Sequence, residues 1–117
     1  MAIAWGVSFK DNPGLIGTIS YHQVYKENYR AEIGYMLDPI HWRKGIINEA
    51  IEVILNYGFK VMKLHSIEAN VNPANTASSG LLKKHGFIRE AYFKENHFYD
   101  GRFIDTEIYS LLNKKSN

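Results

Sequence analysis

Apolar residues recur along this chain in two periods, and the switches between them mark its elements. Residues 2–9 alternate loosely between apolar or aromatic and polar types and read as a strand. Asp11-Asn12-Pro13-Gly14 is a turn signal, and residues 15–25 predict a second strand that pairs with the first as a hairpin. A polar connector at 26–28 leads to a third strand over 30–37, with Gly34 inside it. A glycine there weakens a strand unless the backbone bulges or another group approaches closely.

The period then lengthens. The stretch from Asp38 to Val61 opens with Pro39 and Gly45 and reads as a helix. Its apolar stripe is Ile47, Ile51, Ile54 and Val61, with Glu49, Glu52, Asn56, Lys60 and Lys63 mostly off it, which predicts one buried and one wet face. A short strand over 66–71 follows. The helix-start cluster 72–78 then precedes a second helix carrying Ala77, Leu81 and Leu82, with Gly86 as its stop. Residues 87–99 and 102–112 predict a last antiparallel pair about the hairpin signal Asp100-Gly101, and 114–117 a frayed polar tail. Three strands, a helix, a strand, a helix and two strands predict a mixed, mostly antiparallel twisted sheet with helices packed on it, of the α/β (α+β) class, in one domain over 1–117.

Composition narrows the chemistry. A chain of 117 residues, 45% hydrophobic and 22% charged, has the apolar material for one core. It shows no basic-then-apolar leader and no run of about 18 apolar residues, so the cytoplasm is the expected compartment and no membrane partner is expected. The absence of cysteine excludes disulfides, thiolate nucleophiles and sulfur-ligated zinc; with no two histidines at helical metal-ligand spacing, no metal is expected. Lys and Arg are dispersed and the formal charge is +2, which argues against a nucleic-acid partner.

The start of the first helix is the first candidate site. Arg43, Lys44 and Gly45 precede it where Ser, Thr, Asp or Asn would normally cap, leaving the first-turn amides without a side-chain partner. Such amides, with the positive end of the helix dipole, a close-approach glycine and two cations, suit a phosphate. For a lone Lys-Gly before a helix, plain solvation of those amides is the commoner arrangement, and the local sequence leaves both open.

Several spaced motifs taken together narrow that choice. Leu15-Ile16-Gly17, the run from Ala31 to Asp38 (Ala-Glu-Ile-Gly-Tyr-Met-Leu-Asp), Trp42-Arg43-Lys44-Gly45, Asn48-Glu49-Ala50, Asn75-Thr76-Ala77-Ser78 and His85-Gly86-Phe87 stand in an order that resembles the GNAT N-acetyltransferase superfamily, its RimJ/RimL-type branch most closely. The resemblance implies an acetyl-CoA-dependent N-acetyltransferase acting on a primary amine, either a protein N-terminal α-amine or a small-molecule amine, by direct attack on the thioester. It implies a sheet split by a bulge in the strand 32–37, with acetyl-CoA between that strand and 66–71, main chain at Met36 and Leu37 along the pantetheine arm, and Arg43, Lys44, Gly45, Ile46, Ile47 and Asn48 around the pyrophosphate. A non-catalytic CoA- or protein-binding module of the same kind is the alternative.

Three departures accompany the resemblance. Bulky Ile47 stands where a small residue usually helps phosphates approach. Leu82 stands where many members carry a Tyr as the acid for the thiolate, which passes that role to Ser78. The strand and two helices with which members usually begin are missing, so a longer chain or a second copy is expected to complete the acceptor site, and a homodimer is expected.

Each candidate residue has an ordinary role beside its chemical one. Glu32 serves as general base or pairs across strands with a Lys or Arg. Ser78 bonds to the departing sulfur or is a first-turn helix serine. Asn75 caps the second helix, a role worth about 1 kcal/mol, and can also bond the pantetheine amide. Tyr92, Phe93, His97 and Tyr99 shape an acceptor pocket or simply pack.

Overall fold

The computed structural model describes residues 2–9, 12–37 and 45–113. Strands β1 (Ile3–Phe9), β2 (Asn12–Tyr25) and β3 (Arg30–Leu37) form an antiparallel meander. Helix α1 (Ile46–Lys60) then crosses to β4 (Ser66–Val71), parallel to β3. Helix α2 (Thr76–Lys84) leads to the hairpin β5 (Ile88–Tyr99) and β6 (Arg102–Leu112). The succession of elements is the one that the alternation of periods predicts, and the six strands lie in the spatial order β1-β2-β3-β4-β6-β5. Asp100 and Gly101 both take positive φ, the conformation that a tight two-residue hairpin demands.

Both helices contribute to one core, which joins Ile47, Ile51 and Ile54 of α1 and Leu82 of α2 to Ile19, Tyr21, Ala31, Ile33, Ile67, Ala69 and Tyr109 of the sheet. The stripe on α1 ends differently from the expectation. Val61 is 62% exposed, and Leu55 and Gly58 take the last buried positions. Gly58 has a packing reason, because a Cβ there would overlap the Tyr21 hydroxyl, which donates to Ile54 O at 2.7 Å. A helical glycine costs about 1 kcal/mol, whereas each fully buried Ile contributes about 1.5–3 kcal/mol, so the face is retained despite it. Burial pushes the Tyr21 hydroxyl far above the ordinary phenol value and keeps it a donor. Trp5 lies edge-on to both Tyr21 and Tyr57 and fastens β1 to this face.

The expected bulge is present but on the other strand. Tyr21 pairs with Ile33 and Gln23 with Glu32, so the extra residue is His22 of β2, not a residue of β3. Gly34 answers the second condition that a strand glycine sets, close approach by another group. A Cβ at Gly34 would lie 3.0 Å from His22 Nδ1 and 3.2 Å from its Cε1. The missing side chain is what lets the imidazole of the bulged residue lie against the sheet.

Candidate active site

Strands β3 and β4 pair at only three positions, Arg30 with Ser66, Ala31 with Ile67 and Glu32 with Glu68. Beyond these the strands continue to Leu37 and to Val71 without pairing to each other. The gap is a cavity of about 200 Å³ lined by Ile33, Gly34, Tyr35, Asn70, Asn75 and Ser78 among others. Main-chain groups on facing strand edges are obligatory hydrogen-bonding groups, so this gap suits a ligand that carries amides.

Helix α2 brings Asn75 and Ser78 to the gap. Asn75 is the N-cap, its Oδ1 accepting from Ser78 N at 3.1 Å, so the ordinary role expected for it is filled. Ser78 is buried, and its hydroxyl lies 2.5 Å from the Tyr35 hydroxyl; either oxygen can donate to the other. Burial raises the Tyr35 pKa, and the bond to Ser78 works in the opposite direction. Leu82 is fully buried in the core and offers no acid.

At the other side of α2 lies a groove of about 360 Å³ lined by Gly45, Ile47, Asn48, Ala77, Leu81 and Lys84, among others. Gly45 is the N-cap of α1 with φ +74°, makes no side-chain cap, and faces open space where a Cβ would stand. A residue with a Cβ is strained in this left-handed conformation, and the first-turn amides of α1 are left to other partners. Asn48 does not point freely into the groove. His85 Nε2 lies 2.6 Å from its Oδ1 and donates to it, since an amide oxygen only accepts. Burial holds His85 below the ordinary imidazole value, which favours the neutral donor and ties the start of α1 to the end of α2.

The sequence candidates are thus distributed over three places. Gly45, Ile47 and Asn48 line the groove, with Ile46 half-buried in the same helical turn and not among its lining residues. Asn75 and Ser78 line the gap, and Met36, 76% exposed, and Leu37 continue β3 past the point of separation. Arg43 and Lys44 lie outside the described residues.

Glu32 is the last paired residue below the gap and does not line it. Its side chain belongs to the sheet face opposite the helices, where it accepts from His22 Nε2 at 3.0 Å and from the Tyr25 hydroxyl at 3.3 Å. The cross-strand Lys or Arg of the ordinary reading is therefore replaced by a histidine. Arg30 instead reaches Glu68 at 3.8 Å and covers the Tyr25 ring. His22 and Tyr25, which meet Glu32, and Tyr35, which meets Ser78, are contacts of the candidate residues that sequence reasoning did not single out. Gly34 was the one available signal for His22, because it announced a close approach without naming the group that approaches.

A third cavity, about 460 Å³, lies between the end of β4 and the β5–β6 hairpin. It shares Asn70, Val71 and Asn72 with the gap and is lined by Phe93, His97 and Tyr99 of the expected acceptor wall. Tyr92 is not among the lining residues. It donates to Asp105 at 2.5 Å, and Asp105 also accepts from Glu95 N at 2.8 Å, which fixes the irregular stretch of β5 between Phe93 and His97. Among the described residues there is no cluster of His, Cys, Asp or Glu able to hold a metal ion, and no helix long and apolar enough to cross a membrane.

Comparison with known proteins gives this geometry a lineage. Residues 1–88 match the family described as the acetyltransferase (GNAT) domain. The chain is 40% identical over 110 residues to the uncharacterized N-acetyltransferase YoaA of Bacillus subtilis, covering 94% of this chain and 62% of that protein. The ribosomal-protein-S5-alanine acetyltransferase of Vibrio fischeri superposes with a TM-score of 0.91 at 31% identity, over 97% of this chain and 62% of the other. A chimera of the spermidine N-acetyltransferase SpeG of Vibrio cholerae superposes with a TM-score of 0.89 at 26% identity, over 97% and 71%. The chain thus spans about 62% of the length of the relative YoaA. It belongs to the GNAT acetyltransferase family.

Proposed function

We propose that this chain carries the acetyl-CoA site and the reacting centre of an N-acetyltransferase that acetylates a primary amine. The observation that carries the reading is the separation of β3 from β4 after three residue pairs, with a buried serine on one wall and an uncapped helix start in the groove across α2. The fit to acetyl-CoA rests on the chemistry of these groups. Exposed strand edges suit the pantetheine amides, and the first-turn amides behind Gly45 suit the pyrophosphate, with Lys84 on the groove wall. When bound, acetyl-CoA supplies the activated acetyl group.

The residues divide the remaining work. Glu32 takes the proton that an ammonium must lose before its nitrogen can attack, since a primary amine with a pKa near 10 is mostly protonated at neutral pH. Ser78 donates to the sulfur as the carbon–sulfur bond breaks, with the Tyr35 hydroxyl behind it to replace that proton. The cavity of about 460 Å³ receives the acceptor. Relatives named for a ribosomal protein and for spermidine support an acceptor of either kind, a protein N-terminal α-amine or a small-molecule amine.

A thermal-shift series in acetyl-CoA tests the reading. Ligand in excess of its dissociation constant raises the melting temperature by mass action, with about 2.7 kcal/mol added at a hundredfold excess. A flat series up to about millimolar acetyl-CoA would remove the site. The cytoplasm, where this cosubstrate is made and used, is the compartment proposed. Burial of Leu82, which leaves no tyrosine acid on α2, favours the alternative of a binding module; shift without turnover would select it.

A homodimer is part of the proposal. β5 is an edge of the sheet and presents Phe93, Phe98 and Tyr99 exposed, with Phe103 beside them, a surface that invites a second copy. Light scattering at the same concentrations is expected to give twice the chain mass, and a monodisperse monomer would count against it.

A further inference from the structure

The residues His85-Gly86-Phe87 close helix α2 in a way that fixes where the histidine ring goes. His85 is the C-cap, its N–H shared between the Leu81 and Leu82 carbonyls at 3.3 and 3.1 Å. Gly86 takes φ +92°, a conformation that strains a residue with a Cβ, and so turns the chain back and sends Phe87 into the core. With both neighbours held, the imidazole reaches the first turn of α1, where its Nε2 lies 2.6 Å from Asn48 Oδ1.

A carboxamide has two unlike ends, and its terminal torsion is broad and roughly two-fold, so a free asparagine presents either end. Here the oxygen accepts from His85, which does not line the groove, and the two donors of Nδ2 are left on the other side of the same planar group. Among the described residues none accepts from Nδ2, and it is not a buried atom, so its donors are open to whatever occupies the groove that Asn48 lines. The N–H groups of Ile46, Ile47 and Asn48 stand beside it, ahead of the first bond within α1, from Glu49 N to Gly45 O at 3.1 Å.

We infer that His85 is a positioning residue for the phosphate end of acetyl-CoA, turning the Asn48 carboxamide so that Nδ2 and not Oδ1 meets the pyrophosphate. The inference rests on the acetyl-CoA reading of the groove. A pyrophosphate only accepts, so the orientation decides the sign of the contact. With Nδ2 forward the side chain adds donors to the main-chain amides of the first turn; with Oδ1 forward an acceptor would face an acceptor.

Isothermal titration with acetyl-CoA of the parent chain, His85→Ala, Asn48→Ala and the double variant tests this. Each single variant is expected to bind about 10-fold more weakly, the scale of one hydrogen bond to a charged group. The double variant is expected to bind no more weakly than Asn48→Ala, because His85 acts only through that side chain. His85→Gln, whose amide nitrogen can donate to Oδ1 in place of the ring, is expected to stay within about 2-fold of the parent. S-Acetylpantetheine, which ends before the pyrophosphate, is expected to bind parent and variants alike. Losses that multiply in the double variant, or a loss toward S-acetylpantetheine equal to that toward acetyl-CoA, make His85 a tie between helices and overturn the inference. Parent-like binding by His85→Ala overturns it too, while leaving the acetyl-CoA reading in place. A parent chain that binds no acetyl-CoA fails at the functional reading itself and takes this inference with it.

Discussion

Exchange of Glu32 for Gln is expected to lower turnover by about 10²-fold, equivalent to about 2.7 kcal/mol of transition-state stabilisation, while leaving acetyl-CoA affinity nearly unchanged. Gln is close in size and can still meet His22 and Tyr25, so β3 keeps its place, but it cannot accept the ammonium proton. The carboxylate lies on the face away from the helices and outside the cavity where the cosubstrate amides would pair, which is why affinity is spared. The deficit should shrink as pH rises toward the pKa of the free amine, because the fraction already deprotonated grows tenfold per unit. Initial rates from neutral to alkaline pH decide the matter. A variant as fast as the parent at neutral pH would leave Glu32 a structural role only.

The second large effect is expected at Gly45. Gly45→Glu should abolish the thermal shift by acetyl-CoA, because it places a carboxylate among the first-turn amides of α1 that would otherwise meet phosphate. Strain must be separated from charge. Any L-residue at φ +74° costs about 1 kcal/mol, but no atom stands where its Cβ would go, so there is no clash to add. Gly45→Ala is therefore the control, less stable by a similar amount yet still shifted by the ligand. Equal shifts in the Glu and Ala variants would mean that the phosphates do not sit at this helix start.

The order of strands and helices was readable because each boundary is marked by local chemistry. Asp100-Gly101 must turn, Asn75 must cap, and the step from period two to period 3.6 at α1 and α2 needs no knowledge of the rest of the chain. What escaped is non-local. Val61 continues the apolar step in sequence, yet the place it would fill on the core is held by Leu55 and by a glycine that yields to Tyr21, a residue 33 positions before the Ile54 carbonyl that its hydroxyl meets.

The bulge went to the wrong strand for a similar reason. Gly34 marks a close approach, but an extra residue on β2 and one on β3 give the same two sequences, and only pairing shows that His22 is the unmatched member. Ser78, Asn75 and Gly45 were legible as candidates through the motifs around them, and they line the gap and the groove. The contacts of Ser78 with Tyr35 and of Asn48 with His85 span 43 and 37 residues, which no local period records.

The short junction between β3 and β4 also sets the mechanics of the sheet. Three parallel pairs join a three-stranded leaf, β1-β2-β3, to another, β4-β6-β5, whereas pairing within each leaf runs nearly the length of its strands. Stiffness is therefore high along each leaf and low at the seam, which has the form of a pivot near Arg30 and Ser66 with two lever arms ending at Leu37 and Val71. Helix α1 packs on β2 of one leaf and β4 of the other, and so acts as a brace behind the pivot. A molecule hydrogen-bonded to both arms would close the open end of this wedge, and bending modes that the two leaves have separately would become modes of a single plate.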